Sequence, residues 1–293
     1  MVLNETVGYL AALGSAAAWA YSSILFRKLG DDVSPAGMNL SSSAIGLVYM
    51  ALALPFTGFV MVDAKTFFIL GLSGLFGLTL GGILFFRALM CLGPRLMMLT
   101  GLSVPPATIL LAVLLLHERP SPAAWAGSAL VFAGIAFVLW KKPETVSPEN
   151  LRKGLFYAAL SALVTAVSII LAKVGVAEVS ALEASMIRHF WSVVILTTFG
   201  CATGSIKSWL KPFADKRLLK FVVSATFVVI FGGFWLSMVG LKYAYASTAT
   251  ILNMTEPLFI LPFTALLLKE KVTTREIVGA VVAFAGVVVI FMK

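Results

Sequence analysis

Residues 67–89 read FFILGLSGLFGLTLGGILFFRAL, and Arg87 is the only charged residue among them. The length matches the roughly 20 apolar residues that an α-helix needs to cross a bilayer. Similar apolar segments recur along the whole chain of 293 residues. They lack the alternation of apolar and polar residues that is typical of transmembrane β-strands. The sequence therefore predicts an α-helical membrane protein.

The overall composition supports this prediction. Hydrophobic residues make up 60% of the chain and charged residues 12%, against about 25% charged residues in soluble domains. The mean hydropathy is +1.01. These values exclude a cytosolic enzyme, a disordered protein and a secreted disulfide scaffold. The net charge of +9 does not indicate a nucleic-acid partner, because the basic residues cluster between apolar segments, where they encode orientation in a membrane.

We identify ten spans, separated by turn-forming residues such as Gly93-Pro94 and Lys211-Pro212. No loop between them is long enough to hold a domain outside the membrane. The spans cover approximately residues 7–26, 36–55, 67–89, 95–116, 123–140, 153–173, 182–203, 218–240, 246–268 and 274–292.

The second half of the chain repeats the first. A shift of 146 residues aligns Ser15-Ala16 with Ser161-Ala162, and from the third span a shift of 152 aligns Phe132-Ala133-Gly134 with Phe284-Ala285-Gly286. Each copy holds five spans. Because five is odd, the copies must cross the membrane in opposite senses, which is a recurring plan of secondary transporters.

The predicted fold is therefore an all-α integral membrane protein, with ten transmembrane helices arranged as two inverted five-helix repeats. The repeats occupy residues 1–142 and 153–293, and a short basic linker at 143–152 joins them. Most of the 22 Lys and Arg residues belong to the side that holds the loops after the odd-numbered spans. Since cytoplasmic loops are enriched in these residues, we predict a cell-membrane protein with both termini outside.

The duplicated pattern resembles EamA-type members of the drug/metabolite transporter superfamily over nearly the whole chain. The resemblance rests on the five-plus-five repeat, Trp19, Phe86-Arg87-Ala88-Leu89, Thr255-Glu256-Pro257, and the Leu-x-Glu-Arg/Lys endings of spans 4 and 9. Recurring glycines in spans 5 and 10 add to it. The resemblance implies movement of a solute by alternating access through a central cavity, without naming the solute. It also implies termini inside, in conflict with the charge bias.

Glu256 is the first candidate for a functional group, because it lies near the middle of span 9. A charged side chain at the bilayer centre costs about 2.5–3.5 kcal/mol on insertion scales. Glu256 shares roughly one helix face with Thr250 and Asn253. We predict that it lines the substrate site and carries a coupling proton. The alternative is a structural carboxylate beside the Pro257 kink.

Span 7 supplies two further candidates. Arg188 lies about two turns into this span and is predicted either to pair with Glu256, to hold an anionic substrate group, or to extend to the nearby interface. His189 is either a packed side chain or a substrate or proton ligand. The first repeat has Ser42 and Val104 in the positions of Arg188 and Glu256, so the ionisable groups are confined to the second repeat.

Aromatic and amide side chains complete the predicted site, because ligand sites are mostly apolar with a few placed polar groups. Trp19 is selected from its matched place in the family pattern. The alternative for each aromatic residue is packing or contact with lipid. The predicted substrate-binding residues are Trp19, Asn39, Phe86, Arg188, His189, Trp235, Asn253 and Glu256.

The enzyme hypothesis finds no support in the sequence. His117-Glu118 begins a zinc motif, but Ser121 stands where the second histidine is needed. No phosphate-binding loop is present, and no cofactor or metal is expected. We predict a secondary active transporter that exports a small organic solute, with Glu256 as the proton carrier. The alternative is a non-transporting membrane scaffold or sensor. Expected partners are the solute and the bilayer, and the protein acts either as a monomer or as a homodimer through spans 5 and 10.

Overall fold

Every element in the described part of the computed structural model is helical, which confirms the predicted all-α class. The structure describes residues 2–29, 33–57, 62–104, 106–108, 122–139, 146–243, 252–253, 255–269 and 272–291. Helical hydrogen bonds satisfy the backbone polar groups, as a hydrocarbon environment requires. The α-helices are α1 (Val2–Leu29), α2 (Pro35–Thr57), α3 (Ala64–Gly74), α4 (Gly81–Gly101), α5 (Pro122–Leu139), α6 (Pro148–Val176), α7 (Ala181–Ala202), α8 (Ile206–Leu210), α9 (Lys216–Phe227), α10 (Leu236–Tyr243), α11 (Glu256–Phe263) and α12 (Thr274–Phe291).

Five helical runs in the described ranges are long and apolar enough to cross a bilayer. They correspond to predicted spans 1, 2, 3, 6 and 8. Helices α5, α7 and α12 coincide with spans 5, 7 and 10, whereas parts of spans 4 and 9 lie outside the described residues. The five runs are Thr6–Arg27, Pro35–Phe56, Ala64–Gly101, Pro148–Val176 and Lys216–Tyr243.

The outer surface carries large apolar side chains. Phe56 is 90% exposed and Leu266 is 75% exposed. Water-soluble monomers rarely expose extended apolar surface. Such side chains suit contact with lipid.

Helix α6 begins at Pro148, inside the segment predicted as a linker. The Ser147 hydroxyl accepts a hydrogen bond from the Asn150 backbone N–H at 3.2 Å, which caps the helix. Proline is favoured in the first turn, where its missing N–H costs nothing. The helix therefore starts at its capping signal and extends beyond the apolar span.

The predicted break between spans 3 and 4 is present. Gly93 lies within helix α4 but has a non-helical backbone, with φ = +75°. This left-handed backbone suits glycine, because a Cβ would be strained there. Pro94 follows directly and begins the next helical segment. The chain thus turns at the dipeptide that the sequence marks.

One π-helical segment interrupts the third helix of each half. The two segments cover Leu75–Leu80, between α3 and α4, and Val228–Trp235, between α9 and α10. With the repeat shift of 152, residues 76–80 align with 228–232. Isolated π segments occur frequently at functional sites. A third segment covers Thr264–Leu268.

Helices α5 and α12 pack through matching glycines. A Cβ on Gly134 would lie 2.6 Å from the Ala283 nitrogen and 2.7 Å from the Gly279 oxygen. A Cβ on Gly286 would lie 2.6 Å from both the Gly127 oxygen and the Val131 nitrogen. All these positions pair under the shift of 152, so each helix presents the same face to the other. Reciprocal contacts of this kind define a two-fold relation.

Candidate functional site

A cavity of about 250 Å³ lies at the centre of the helices. Residues from both halves of the chain line it, including both π segments that interrupt the third helices. Its wall is mainly apolar, with a few polar side chains, as is typical of ligand sites. Its size is just below the range of about 300–1,000 Å³ of drug-sized pockets, which suits a small solute.

The structure brings seven of the eight predicted site residues to this cavity. Trp235 is not among the lining residues. Its ring instead packs against Phe231, with centroids 6.1 Å apart. Thr250, which was predicted to share the face of Glu256, lies outside the described residues. The seven lining residues are Trp19, Asn39, Phe86, Arg188, His189, Asn253 and Glu256.

Helices α2 and α7 contact each other in the cavity wall. The Ser43 hydroxyl lies 3.3 Å from His189 Nδ1, and the two residues are 146 positions apart. This separation equals the shift that relates the first two spans of each repeat. Residues that occupy equivalent positions in the two copies therefore contact each other directly beside the cavity.

Asn39 joins α2 to the first π segment. Its side-chain Nδ2 donates to the Leu78 carbonyl at 2.6 Å and to the Thr79 carbonyl at 3.3 Å. The Thr79 hydroxyl donates to Ser192 Oγ on α7 at 3.0 Å. Asn39 is 6% exposed, so these bonds replace its contacts with water. Within the wall it therefore holds the π segment in place.

Arg188 projects into the same region from α7 and is 7% exposed. The helix start is fixed by a capping box, in which the Ser180 hydroxyl accepts from the Glu183 N–H and the Glu183 carboxylate accepts from the Ser180 N–H. Arg188 Nη2 donates to Ser168 Oγ at 3.1 Å, and Nη1 lies 3.7 Å from the Met238 sulfur. Its Nε has no hydrogen-bond partner among the described residues.

Aromatic rings form the apolar part of the wall. The Trp19 ring makes edge contacts with Phe234 and Phe85, at centroid distances of 4.7 and 6.1 Å. Phe234 also contacts the His189 ring edge-on at 4.8 Å. Such edge-to-face pairs fix ring orientation. Phe234 was missed in the sequence because an aromatic residue in an apolar run gives no sign of the direction that its side chain faces.

Glu256 was predicted near the middle of span 9, and the structure places it at the start of a helix. It is the first residue of α11, and Thr255 precedes it as a turn. The Thr255 N–H donates to the Leu252 carbonyl at 3.2 Å, three residues back. Pro257 favours a helix start because it has no N–H to donate. The carboxyl group therefore lies at a helix start on the cavity wall.

Three serines around Arg188 and His189 were also missed. Ser42, Ser43 and Ser168 line the cavity. Serine is common in membrane helices that pack closely, so its presence in the sequence does not distinguish packing from binding. Ser42 had one usable signal, because it aligns with Arg188 under the repeat shift.

The described residues contain no group of three or more His, Cys, Asp or Glu side chains placed to hold a metal ion. The arrangement can enclose a small solute between aromatic rings. It presents a guanidinium, an imidazole and a carboxylate to that solute.

The chain is similar to two uncharacterized transporters, to one of them over nearly its whole length. An uncharacterized transporter of Archaeoglobus fulgidus is 23% identical over 284 residues, covering 97% of both chains. An uncharacterized transporter in the sor 3′ region of Acidianus ambivalens is 36% identical over 83 residues, covering 27% of this chain and 32% of that protein.

A solved crystal structure shares the fold. Its TM-score is 0.64 at 17% identity, over 99% of this chain and 96% of that one. The model of the EamA-like transporter family matches residues 6–140 and again residues 152–292. Together with its apolar spans, these matches identify the chain as a multi-pass membrane transporter that belongs to the EamA-like transporter family.

Proposed function

We propose that this transporter is a secondary active exporter of a small organic solute, working by alternating access. The central cavity carries the proposal. It combines an aromatic wall with Arg188, His189 and Glu256, and ionisable groups inside membrane proteins usually mark substrate or ion pathways. The exported solute is a metabolite, an amino acid or a drug-like compound.

The proposal includes ten transmembrane helices in two inverted repeats, at residues 1–142 and 153–293. The repeated family match supports the duplication. The reciprocal packing of Gly134 and Gly286 and the contact between Ser43 and His189 support a two-fold relation. Five spans in each copy make that relation an inversion. A cavity at the interface of such repeats is where alternating access needs its binding site.

We further propose that Glu256 carries the coupling proton. Its carboxylate lies on the cavity wall at the start of α11, so one side chain meets both the solute and the water that enters with it. In the cycle, Glu256 takes a proton from one side of the membrane and releases it on the other. Proton and solute favour different states of the protein, and this difference couples the two fluxes.

The second candidate function, a scaffold or sensor without transport, calls for a closed pair of Glu256 and Arg188 in a packed centre. Within the described residues the two side chains form no ion pair, and both line an open volume. These observations favour transport. A monomer is sufficient for the proposed cycle. In a homodimer through α5 and α12, outer side chains such as Trp125 and Val281 would form the contact, because the glycine faces already pack within the chain.

The first experiment compares metabolites in cells and medium after expression of wild type and of Glu256→Gln. We expect one compound class to accumulate in the medium with wild type and not with the variant. Glu178→Gln is the matched control, since Glu178 is an exposed acid away from the cavity. If Glu256→Gln exports the compound as well as wild type does, the proton role is wrong. If neither moves any compound, although both reach the membrane, the scaffold hypothesis is favoured.

The orientation is tested separately. We propose both termini outside, from the Lys and Arg bias. A reporter fused after Lys293 that is active only in the cytoplasm should be inactive. An active reporter would show that the C-terminus lies inside and that the proposed orientation is wrong.

A further inference from the structure

Arg188 is a buried cation that lacks a counter-charge in the described structure. It is 7% exposed, and neither of the described ion pairs, Arg95–Glu276 and Lys153–Glu149, involves it. Its contacts within the described residues are a serine hydroxyl and a thioether sulfur, both uncharged. A buried ion is costly unless it is paired. A bound anion would supply the missing charge.

The guanidinium is held in a fixed place. Ser168 Oγ donates to the Ser73 carbonyl at 2.8 Å, while Ser73 Oγ donates to the Ser168 carbonyl at 2.9 Å. This reciprocal pair leaves the Ser168 hydroxyl oxygen as an acceptor for Arg188. On the other side, a Cβ on Gly77 would clash with Ser168 Oγ and lie 3.0 Å from Arg188 Nη2. The glycine lets the π segment pack against the guanidinium, so its position is set before any ligand arrives.

Further polar atoms on the same wall lack partners. Ser42 Oγ and His189 Nε2 are buried, line the cavity and have no hydrogen-bond partner among the described residues. Both can donate a hydrogen bond, in the case of His189 when Nε2 carries the proton. Together with Arg188 Nε they form an unsatisfied set. An anionic oxygen group satisfies such donors better than water does, because charge-assisted hydrogen bonds are the stronger ones.

The remainder of the wall defines the rest of the ligand. The rings of Trp19, Phe85, Phe86 and Phe234 line the cavity. Arg188 is the only Lys or Arg that lines the cavity in its described part, and Glu256 adds a carboxylate there. A second negative charge on the ligand would find no second cation there. One negative charge on an apolar body fits this wall.

We infer that Arg188 binds the carboxylate of a small monoanionic solute, whose apolar body lies against the rings of Trp19, Phe85 and Phe234. This inference rests on the proposed function and names its substrate class. The bidentate geometry of a guanidinium matches a carboxylate. Arg188 thereby selects for the acid over its neutral amide.

The test uses the purified full-length chain and matched pairs of probes. The thermal unfolding midpoint is followed against concentration for acetate and acetamide, phenylacetate and phenylacetamide, and 4-methylpentanoate and 4-methylpentanamide. Chloride is a separate probe. A ligand that binds the folded state raises the midpoint as its concentration increases. We expect at least about a tenfold higher apparent affinity for an acid with an apolar body than for its amide.

Variants assign the preference to Arg188. Arg188→Gln should bind acid and amide equally, whereas Arg217→Gln, at an exposed arginine, should keep the preference. Arg188→Lys retains the charge without the planar fork and should weaken the preference without removing it. Should Arg188→Gln fail to fold, wild type and Arg188→Lys still decide the outcome.

Several results would overturn the assignment. They are equal affinity for acids and amides in wild type, a preference that survives Arg188→Gln, and stabilisation by chloride as strong as by phenylacetate. Uptake of labelled phenylacetate into proteoliposomes separates this inference from the proposed function. Acid-selective binding without uptake contradicts transport alone. Uptake without preference for the acid contradicts the anion site alone.

Discussion

Helices α2 and α7 occupy equivalent places in the two halves of the chain, yet they carry different chemistry. At the shift of 146, Asn39 aligns with Ser185, Ser42 with Arg188, and Ser43 with His189. In α2, Asn39 is committed to the backbone of the π segment. In α7, the equivalent serine has no hydrogen-bond partner among the described residues, and the next turn presents Arg188. One copy therefore holds the wall together, and the other supplies its ionisable groups.

The duplication therefore constrains the packing of the two helices more strongly than the chemistry of their side chains. The two helices must fit equivalent surroundings, because close-packed helices tolerate little change in shape. The side chains that face the cavity meet no such constraint. They are free to differ, and the cavity is accordingly asymmetric inside a symmetric framework.

Substitutions at the glycine contacts between α5 and α12 should have the greatest effect on stability. Gly134→Ala and Gly286→Ala should each destabilise the protein by about 3 kcal/mol or more, since overpacking here would push backbone against backbone. The two losses should be equal, because the contacts are reciprocal. Unfolding midpoints in detergent measure both. Gly101→Ala is the control, as a Cβ there meets nothing within 4 Å. Clearly unequal losses would contradict the two-fold relation.

The next effect concerns a link without a symmetric counterpart. Arg95 Nη1 donates to Glu276 Oε2 at 3.0 Å, and the Thr273 N–H donates to the same oxygen at 2.9 Å. Glu276→Ala should cost about 2–3 kcal/mol, because it removes one member of a mostly buried ion pair and a helix cap. The first-repeat position equivalent to Glu276 is Ala124. Chemical unfolding with the exposed Glu178→Ala as control measures the loss, and no loss would show that the pair is dispensable.

A smaller effect separates the two equivalent positions on α2 and α7. Asn39→Ala should destabilise the protein by about 1–2 kcal/mol, because it leaves backbone carbonyls of the π segment without their donor. Ser185→Ala should leave stability unchanged or raise it slightly, since its hydroxyl has no partner among the described residues. Both changes are measured in parallel by thermal unfolding. Equal effects at the two positions would remove the distinction between a structural α2 and a functional α7.

The smallest effect is expected at the start of α6. Lys153 Nζ contacts the Glu149 carboxylate at 2.6 Å, and this hydrogen bond lowers the pKa of the Glu149 carboxyl. Both side chains are exposed to solvent, so the pair contributes little. Glu149→Gln should leave the unfolding midpoint unchanged between neutral and mildly acidic pH. The equivalent stretch of the first repeat begins at Leu3 and has no such pair, so a measurable loss would show that the two helix starts differ in stability.

The elements were largely predictable from the sequence. The starts of α7 and α12 lie within one residue of the predicted spans, because each follows a serine or threonine turn before an apolar run. Helix α6 was placed too late, since its polar first turn belongs to no apolar segment. In span 9, Pro257 marked a local change in the sequence, and helix α11 begins one residue before it.

The candidate site was predictable only in part. Charged and amide residues within apolar spans are conspicuous, and Asn39, Arg188 and Glu256 do line the cavity. Trp235 does not line it. It was predicted wrongly because neighbouring aromatics in an apolar run are indistinguishable in sequence, although their side chains point in different directions. Whether Arg188 has a partner was likewise undecided, because pairing depends on atoms from α6 and α10.

The helical class, the membrane spans and the duplication all follow from the order of residues, because hydropathy, length and repeat are properties of the chain read in order. Tertiary structure decided which side chains meet. Only the packing of α2 against α7 brings Ser43 to His189, and only the reciprocal serine pair on α3 and α6 fixes the guanidinium of Arg188. The physical reason is that hydrophobic burial is non-directional and follows composition. Hydrogen bonding and charge pairing depend instead on distances of a few ångströms between residues far apart in the chain.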